Sequence, residues 1–123
     1  MRYIESWEQW DTTGHKVKKK TFVQTEELQK FLAAQPVEIR GQHDKLVERL
    51  EQDGFLVLPY GKKLTGYSNL FEMRIVSGGS VRVFYCYEDG DLVVGVSGFV
   101  KKTQQTPLRE IKKALKMIRA LEV

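Results

Sequence analysis

The residues best suited to chemistry in this sequence are cations at or near the ends of predicted strands. Arg74 and Arg82 lie in two consecutive apolar runs, and Lys101 and Lys102 directly follow a third. Guanidinium and ammonium groups bind phosphate oxygens, and arginine does so through two parallel hydrogen bonds while staying charged. A cluster of these groups would hold a phosphate ester and stabilise the negative charge that develops on it.

The alternation of side chains along a strand decides which of these cations can meet. Successive side chains point to opposite faces, so Glu72 and Arg74 share one face and Arg82 occupies a definite face of the next strand. If the two faces coincide across the hairpin, the arginines stand on one surface near the lysine pair. Lys62 and Lys63, in the predicted loop before the sheet, would close its rim. A single arginine in a small sheet is more often a cross-strand ion-pair partner, but the set favours a site.

Charge is distributed unevenly over the 123 residues. Residues 1–59 carry 9 Lys/Arg against 10 Asp/Glu, whereas residues 60–123 carry 11 against 6. A basic half of this kind points to a polyanionic partner such as nucleic acid, although small basic proteins with merely solvated lysines are common.

Composition excludes several classes of protein. A single cysteine, Cys86, rules out an internal disulfide framework and a multi-cysteine zinc site. Neither histidine has metal-ligand spacing, because His43 is in phase with the apolar side of a predicted helix and His15 neighbours a lysine run. No apolar run reaches membrane-spanning length, and the start lacks a signal-peptide pattern. We therefore expect one cytoplasmic domain over 1–123, with no metal, cofactor or membrane partner.

The first half is predicted to contain a helical hairpin. A strand over 20–24 leads to Thr25 as N-cap of a short helix, which Pro36 ends. A second helix follows over 36–53, with Gly54 at its C-terminal left-handed position. The apolar residues that recur at helical spacing are Leu28, Phe31, Leu32, Ile39, Leu46, Val47 and Leu50.

The second half is predicted to form an antiparallel meander and a helix. Three strand-like runs cover 69–76, 81–88 and 92–99, joined by turns at 77–80 and 88–91. Tyr85 and Tyr87 are expected in the core. A helix over 107–121 begins with Thr106 as N-cap. Its expected apolar stripe is Leu108, Ile111, Leu115 and Ile118, and its basic face is Arg109, Lys112, Lys113, Lys116 and Arg119.

Three segments in order carry a resemblance to a known family: KKLTGYSNLFEMRI, VRVFYCY and VSGFVKKTQQTPLREIKKAL. Together they resemble the RelE/ParE superfamily of type II toxin–antitoxin toxins, and most of all its HigB-like, phage-derived branch. The resemblance covers roughly 45–117, and residues 1–20 are a poorly matched N-terminal extension. It implies an α+β fold in which an N-terminal helical hairpin packs on a small antiparallel β-meander with a C-terminal helix, the RelE-like microbial ribonuclease fold.

The resemblance also implies an activity. The expected function is endoribonuclease cleavage of mRNA by 2′-hydroxyl attack on the phosphate, without metal or organic cofactor, and the ribosome is the expected place of cleavage. The implied partner is a cognate antitoxin, in this branch often a helix-turn-helix DNA-binding protein, within a toxin–antitoxin hetero-oligomer. Two other functions stay open: a ParE-type toxin that binds DNA gyrase without cutting nucleic acid, and an inactive relative that only binds a partner.

Site residues follow from the matched motifs. The catalytic candidates are Arg74, Arg82, Lys63, Lys101 and Lys102 as phosphate clamp and transition-state stabilisers, and Glu72 as a possible general base or an electrostatic partner. The RNA-binding candidates are Lys62, Phe99, Lys112 and Lys116. Some members of the superfamily use a histidine or a C-terminal tyrosine in acid–base catalysis. This sequence has no histidine in its sheet half and no tyrosine after Tyr87.

Overall fold

A computed structural model describes residues 18–75 and 80–121. Residues 77–79 of the predicted turn, the N-terminal residues 1–17 with His15, and the start of the lysine run lie outside the described residues. The described elements, in chain order, are β1 (Thr21–Gln24), α1 (Glu26–Ala33), α2 (Val37–Asp53), β2 (Gly61–Lys63), β3 (Phe71–Ile75), β4 (Val81–Glu88), β5 (Leu92–Val100) and α3 (Leu108–Leu121). Among these residues no helix is long and apolar enough to cross a membrane.

The sheet has five strands in the order β1-β5-β4-β3-β2. The predicted meander of β3, β4 and β5 is confirmed, and each of its neighbouring pairs is antiparallel. Two short strands extend it: β2 pairs antiparallel with β3, and β1 pairs parallel with β5. The sheet is therefore mixed rather than purely antiparallel. Lys62 and Lys63, predicted in a loop, belong to β2. The β4–β5 register shifts at a bulge between Phe84 and Tyr85.

The helical hairpin begins and ends where its capping residues predict. The Thr25 hydroxyl accepts a hydrogen bond from the Leu28 N–H at 3.1 Å and donates one to the Val96 carbonyl at 2.6 Å. This one side chain caps α1 and ties the helix to β5. At the end of α2, Gly54 adopts a left-handed φ of 89° and donates to the Leu50 carbonyl at 2.8 Å, a conformation that favours glycine.

The C-terminal helix differs from its prediction at the first turn. α3 begins at Leu108, one residue later than expected, and the Pro107 carbonyl accepts hydrogen bonds from the Glu110 and Ile111 N–H groups. The Thr106 hydroxyl, predicted to cap the helix, donates a hydrogen bond to the Glu72 side chain of the sheet at 2.9 Å. Leu108 is 56% exposed, so it is not part of the packed stripe. The buried residues of α3 are Ile111, Ala114 and Ile118.

The sheet lies between two apolar clusters. One cluster joins the hairpin to one face of the meander through Leu28, Leu32, Ile39, Leu46, Leu50, Met73, Val83 and Tyr85. The other joins α3 to the opposite face through Leu70, Phe84, Cys86, Val96, Ile111 and Ile118. Tyr85 is in the core as predicted, and Tyr87 is half-buried with its hydroxyl donating to the Gly54 carbonyl at 2.9 Å.

Two glycines predict opposite responses to the same substitution. A Cβ at Gly98 in β5 would overlap the Phe31 ring of α1, whereas a Cβ at Gly41 in α2 would meet nothing. We expect Gly98→Ala to lower the free energy of unfolding by about 1–3 kcal/mol through overpacking. Gly41→Ala should raise it by about 0.5–1 kcal/mol because alanine restricts the unfolded chain and favours the helix. Urea unfolding measures both changes, provided that the dependence of the free energy of unfolding on urea concentration is the same in all variants. The same change in stability for both variants would contradict the packing of α1 on β5.

His43 predicts how stability depends on pH. The imidazole of this α2 residue is buried, and its ring packs edge-on against Phe22 with the ring centroids 5.8 Å apart. Burial lowers the pKa of His43, although the Asp44 carboxylate, 3.6 Å from Nδ1, acts in the opposite direction. Because the unfolded chain then binds the proton more readily, this contribution is complete above pH 6.5 and is lost as the pH falls below that value. The loss cannot exceed about 1.4 kcal/mol per pH unit for one proton.

The His43→Leu variant removes that group, so the urea midpoint should fall less between pH 7.5 and 5.5 than it does in the wild-type protein. Parallel pH profiles for the two proteins would show that His43 does not titrate differently in the folded state.

Candidate functional site

Arg74 and Arg82 are direct cross-strand partners in β3 and β4. The convergence predicted from side-chain alternation is therefore confirmed. Two like charges placed opposite each other in a sheet repel and are destabilising. The pair needs a counter-charge close by, and the fold supplies one.

Glu72 is that counter-charge, and it is fully buried on the same face of β3. Its Oε1 lies 3.2 Å from Arg74 Nε and 3.8 Å from Arg82 Nε. Its Oε2 accepts a hydrogen bond from the Thr106 hydroxyl at 2.9 Å. One carboxylate thus holds both arginines and also the residue that leads into α3. Sequence reasoning identified Glu72 but assigned Thr106 to helix capping.

Arg82 is the more enclosed arginine. Burial lowers the pKa of its guanidinium, the Glu72 carboxylate acts in the opposite direction, and Arg74 adds to the lowering. Its Nη1 donates to the Val81 carbonyl at 3.2 Å, while its Nε is buried without a hydrogen-bond partner among the described residues. A guanidinium with a like charge nearby gains from binding an anion.

The lysine pocket is a shallow depression of about 500 Å³ beside Arg82. The Lys101 N–H donates to the Ser80 carbonyl at 2.7 Å, which continues the β4–β5 pairing past the end of the strand. That bond fixes the backbone of the lysine pair next to the arginine. The lining residues are Ser80, Arg82, Lys101, Lys102, Thr103 and Gln104.

The tyrosine cleft is a second depression, of about 210 Å³, which includes Arg74 and shares no residue with the lysine pocket. It is lined by Gln42, Lys45, Leu46, Arg49, Tyr60 and Arg74. The polar members of this set that come from α2 were not among the residues predicted for the site. Their spacing was the available signal: Gln42, Lys45 and Arg49 recur three and four residues apart and share a helix face.

The structure does not bring every predicted site residue to this surface. Lys62 pairs with Glu72, so it shares the arginine face of the sheet, whereas Lys63 pairs with Phe71 and lies on the opposite face. Lys112 and Lys116 are exposed on α3 and line neither the lysine pocket nor the tyrosine cleft.

Phe99 requires a correction. It is 6% exposed and packs against Phe84 with ring centroids 5.2 Å apart, so it is a core residue and not a surface platform for a base. The bulge at Phe84 and Tyr85 sets which β5 residues face α3, and alternation alone cannot reveal it.

The described residues contain no group of three or more His, Cys, Asp or Glu side chains arranged to hold a metal ion. The charged groups that converge are the two arginines, the carboxylate between them and the lysines of the lysine pocket. Such a surface can bind a phosphodiester backbone and neutralise charge on one phosphate.

Solved structures with a similar fold are toxins of the RelE type. A mutant of the Escherichia coli toxin RelE in the free state superposes with a TM-score of 0.64 at 17% identity, covering 81% of this chain and 98% of that chain. The RelB–RelE antitoxin–toxin complex from Methanococcus jannaschii gives 0.53 at 22% identity, covering 63% and 88%. The RelBE2 toxin–antitoxin complex from Mycobacterium tuberculosis gives 0.53 at 21% identity, covering 68% and 99%. These matches confirm the predicted RelE-like α+β fold.

Comparison of the sequence with curated proteins finds no match. A family model does match, and it describes phage-derived proteins that are Gp49-like. The matched segment spans residues 30–119 and so includes α2, all of β2 to β5, both arginines and nearly all of α3. The chain therefore belongs to the phage-derived Gp49-like protein family, the branch that its sequence motifs predicted.

Proposed function

We propose that the chain is the toxin of a type II toxin–antitoxin system and cleaves mRNA as an endoribonuclease at the ribosome. The observation that carries the proposal is the arginine pair held by one buried carboxylate beside a lysine pocket. Two arginines and two lysines against one carboxylate leave an excess of positive charge where a phosphate can sit. The similarity to RelE toxins in fold supports the same reading.

The reaction would use the 2′-hydroxyl that distinguishes RNA from DNA. Its oxygen attacks the adjacent phosphorus, the bond from phosphorus to the 5′-oxygen of the next nucleotide breaks, and a 2′,3′-cyclic phosphate and a 5′-hydroxyl result. One proton leaves the attacking oxygen and one reaches the departing oxygen, so the step is balanced without a redox partner. Charge builds up on the phosphorane oxygens, and fixed cations stabilise it.

Each cationic residue has a proposed role. Arg82 and Arg74 clamp the scissile phosphate, and Lys101 or Lys102 gives a proton to the departing oxygen or stabilises its charge. Glu72 is assigned to positioning the arginines and not to base catalysis, because it is fully buried and both carboxylate oxygens are engaged. Lys62, on the same face, would add a contact to the RNA backbone.

A cognate antitoxin is the proposed protein partner, in keeping with two of the similar structures, which are toxin–antitoxin complexes. The loop between α2 and β2 offers it an apolar surface, since Phe55, Val57 and Leu58 are each more than half exposed. Exposed apolar residues grouped in this way often mark an interface with another protein. The proposed antitoxin is a helix-turn-helix protein, and failure of these two chains to copurify after coexpression would contradict the pairing.

The cleavage activity is tested by primer extension on an mRNA in a purified translation system, with and without ribosomes. Arg74→Ala and Arg82→Ala should each lower the cleavage rate about a hundredfold or more, because each removes a stabiliser of the transition state. The Lys101→Ala/Lys102→Ala double variant should do likewise. Lys30→Ala is the matched control, since Lys30 is exposed on α1 and pairs with Glu26.

Cuts that require ribosomes and disappear in the arginine and lysine variants would confirm the proposal. Cuts on RNA without ribosomes would support the nuclease activity and contradict its dependence on the ribosome. Absence of cutting by the wild-type protein in both settings would overturn it and favour a toxin that only binds its target, such as the gyrase inhibitors of this superfamily.

Glu72 and Thr106 predict a graded loss of stability. Glu72→Ala leaves two close arginines without their counter-charge and should lower the free energy of unfolding by about 3 kcal/mol or more. Thr106→Val removes only the hydroxyl that donates to Glu72 and should cost about 1 kcal/mol. Urea unfolding measures both; a Glu72→Ala variant as stable as Thr106→Val would contradict a carboxylate that holds the cluster together.

A further inference from the structure

Tyr60 is an exposed aromatic ring on a fixed backbone. Its carbonyl accepts a hydrogen bond from the Arg74 N–H at 2.7 Å, and its own N–H donates to the Val57 carbonyl at 2.9 Å. The residue nevertheless remains 37% exposed. Part of it is therefore open to a ligand, while one of these backbone bonds ties it to β3 and the other ties it to the preceding turn.

Two cationic side chains of α2 line the cleft together with the ring. The Arg49 guanidinium lies over it at 5.8 Å from the centroid, and Lys45 lines the same cleft one helical turn earlier. Leu46, which is buried in the core, contributes an apolar floor. An aromatic face, a stacked guanidinium and a nearby ammonium are the groups that bind a base and its backbone in single-stranded nucleic acids.

The cleft adjoins the proposed phosphate site through Arg74. Arg74 lines the tyrosine cleft, and its partner Arg82 lines the lysine pocket. Both reach the same oxygen of Glu72, at 3.2 and 3.8 Å. A phosphate held by the arginine pair would thus have one of its flanking nucleosides beside Tyr60.

We propose that the tyrosine cleft is a nucleobase subsite, in which one base next to the scissile phosphate stacks on Tyr60 and Arg49. The proposal rests on the RNA-cleaving function. It adds a structural origin for a preference of the protein for certain RNA sequences around the cleaved bond. The cleft holds about 210 Å³, below the roughly 300 Å³ at which pockets for drug-sized ligands begin. That size suits one flat ring system, with the sugar and phosphate left outside among the cations.

The first test measures binding. Fluorescence anisotropy is recorded with a labelled single-stranded 2′-O-methyl RNA, which cannot be cut, and with a series in which a single abasic site moves along the strand. Tyr60→Leu should weaken binding of the intact strand on the order of tenfold, the effect of losing one stacked base. It should also remove the wild-type protein's sensitivity to the abasic site. Tyr60→Phe should bind like the wild type.

The second test measures where cleavage occurs. In the translation assay, Tyr60→Leu and Arg49→Gln should still cut, but at sites spread over more sequence contexts than the wild-type protein uses. Leu108→Ala is the control, because Leu108 is a large apolar residue, 56% exposed on α3, that lines neither the tyrosine cleft nor the lysine pocket. It should leave both affinity and cleavage pattern unchanged.

The outcomes separate the two proposals. Unchanged affinity and an unchanged cleavage pattern in Tyr60→Leu, with cleavage still lost in Arg82→Ala, would overturn the base subsite and leave the nuclease standing. Absence of cleavage by the wild-type protein would overturn the proposed function and the subsite together. If Leu108→Ala matched Tyr60→Leu, the effect would follow from any loss of exposed apolar surface and not from the cleft, which also contradicts the subsite.

Discussion

The buried carboxylate of Glu72 is the constraint on which this half of the structure depends. An unpaired carboxylate on the inner face of a sheet would carry a large desolvation cost, and two adjacent arginines would repel. The ion pairs offset both the burial of the carboxylate and the repulsion between the arginines, because the carboxylate oxygen lies within 4 Å of both Nε atoms. The Thr106 hydroxyl completes the arrangement from outside the sheet. The sheet, the entry to α3 and the charged surface are therefore parts of one hydrogen-bonded and ionic unit.

This unit also explains why the cationic surface can be ready before a ligand arrives. Flexible surface arginines lose side-chain entropy when they grip an anion. Here Glu72 accepts a hydrogen bond from Arg74 and lies 3.8 Å from Arg82, and the lysine backbone is fixed by its bond to Ser80. A single negative charge does not neutralise the cluster, so the surface keeps an excess of positive charge, which the proposed binding of a phosphate would use. Preorganised charge of this kind is the usual largest contribution to catalysis of reactions that build up negative charge.

The sequence predicted the fold better than it predicted the site. The hairpin, the meander, the Thr25 cap, the left-handed Gly54 and the shared face of the arginines follow from local patterns, and all were confirmed. The parallel pairing of β1 with β5 was not predictable, since it joins segments about seventy residues apart. Thr106 has the pattern of a helix cap, and its hydrogen bond to Glu72 could not be predicted because it joins residues 34 positions apart. Lys45 and Arg49 were overlooked because the apolar stripe of α2 was the stronger signal.

The bulge between Phe84 and Tyr85 acts as a change of phase along β5. Before it, the even-numbered Val94 and Val96 pack toward α3; after it, the odd-numbered Phe99 does so, and Arg82 pairs with Phe99. By the same alternation Lys101, rather than Lys102, follows on the arginine face. One extra residue in a single strand thus rotates the lysine pair by half a turn relative to the strand's beginning. The direction in which the lysine side chains point is therefore set by a bulge about five residues away, among residues that carry no charge.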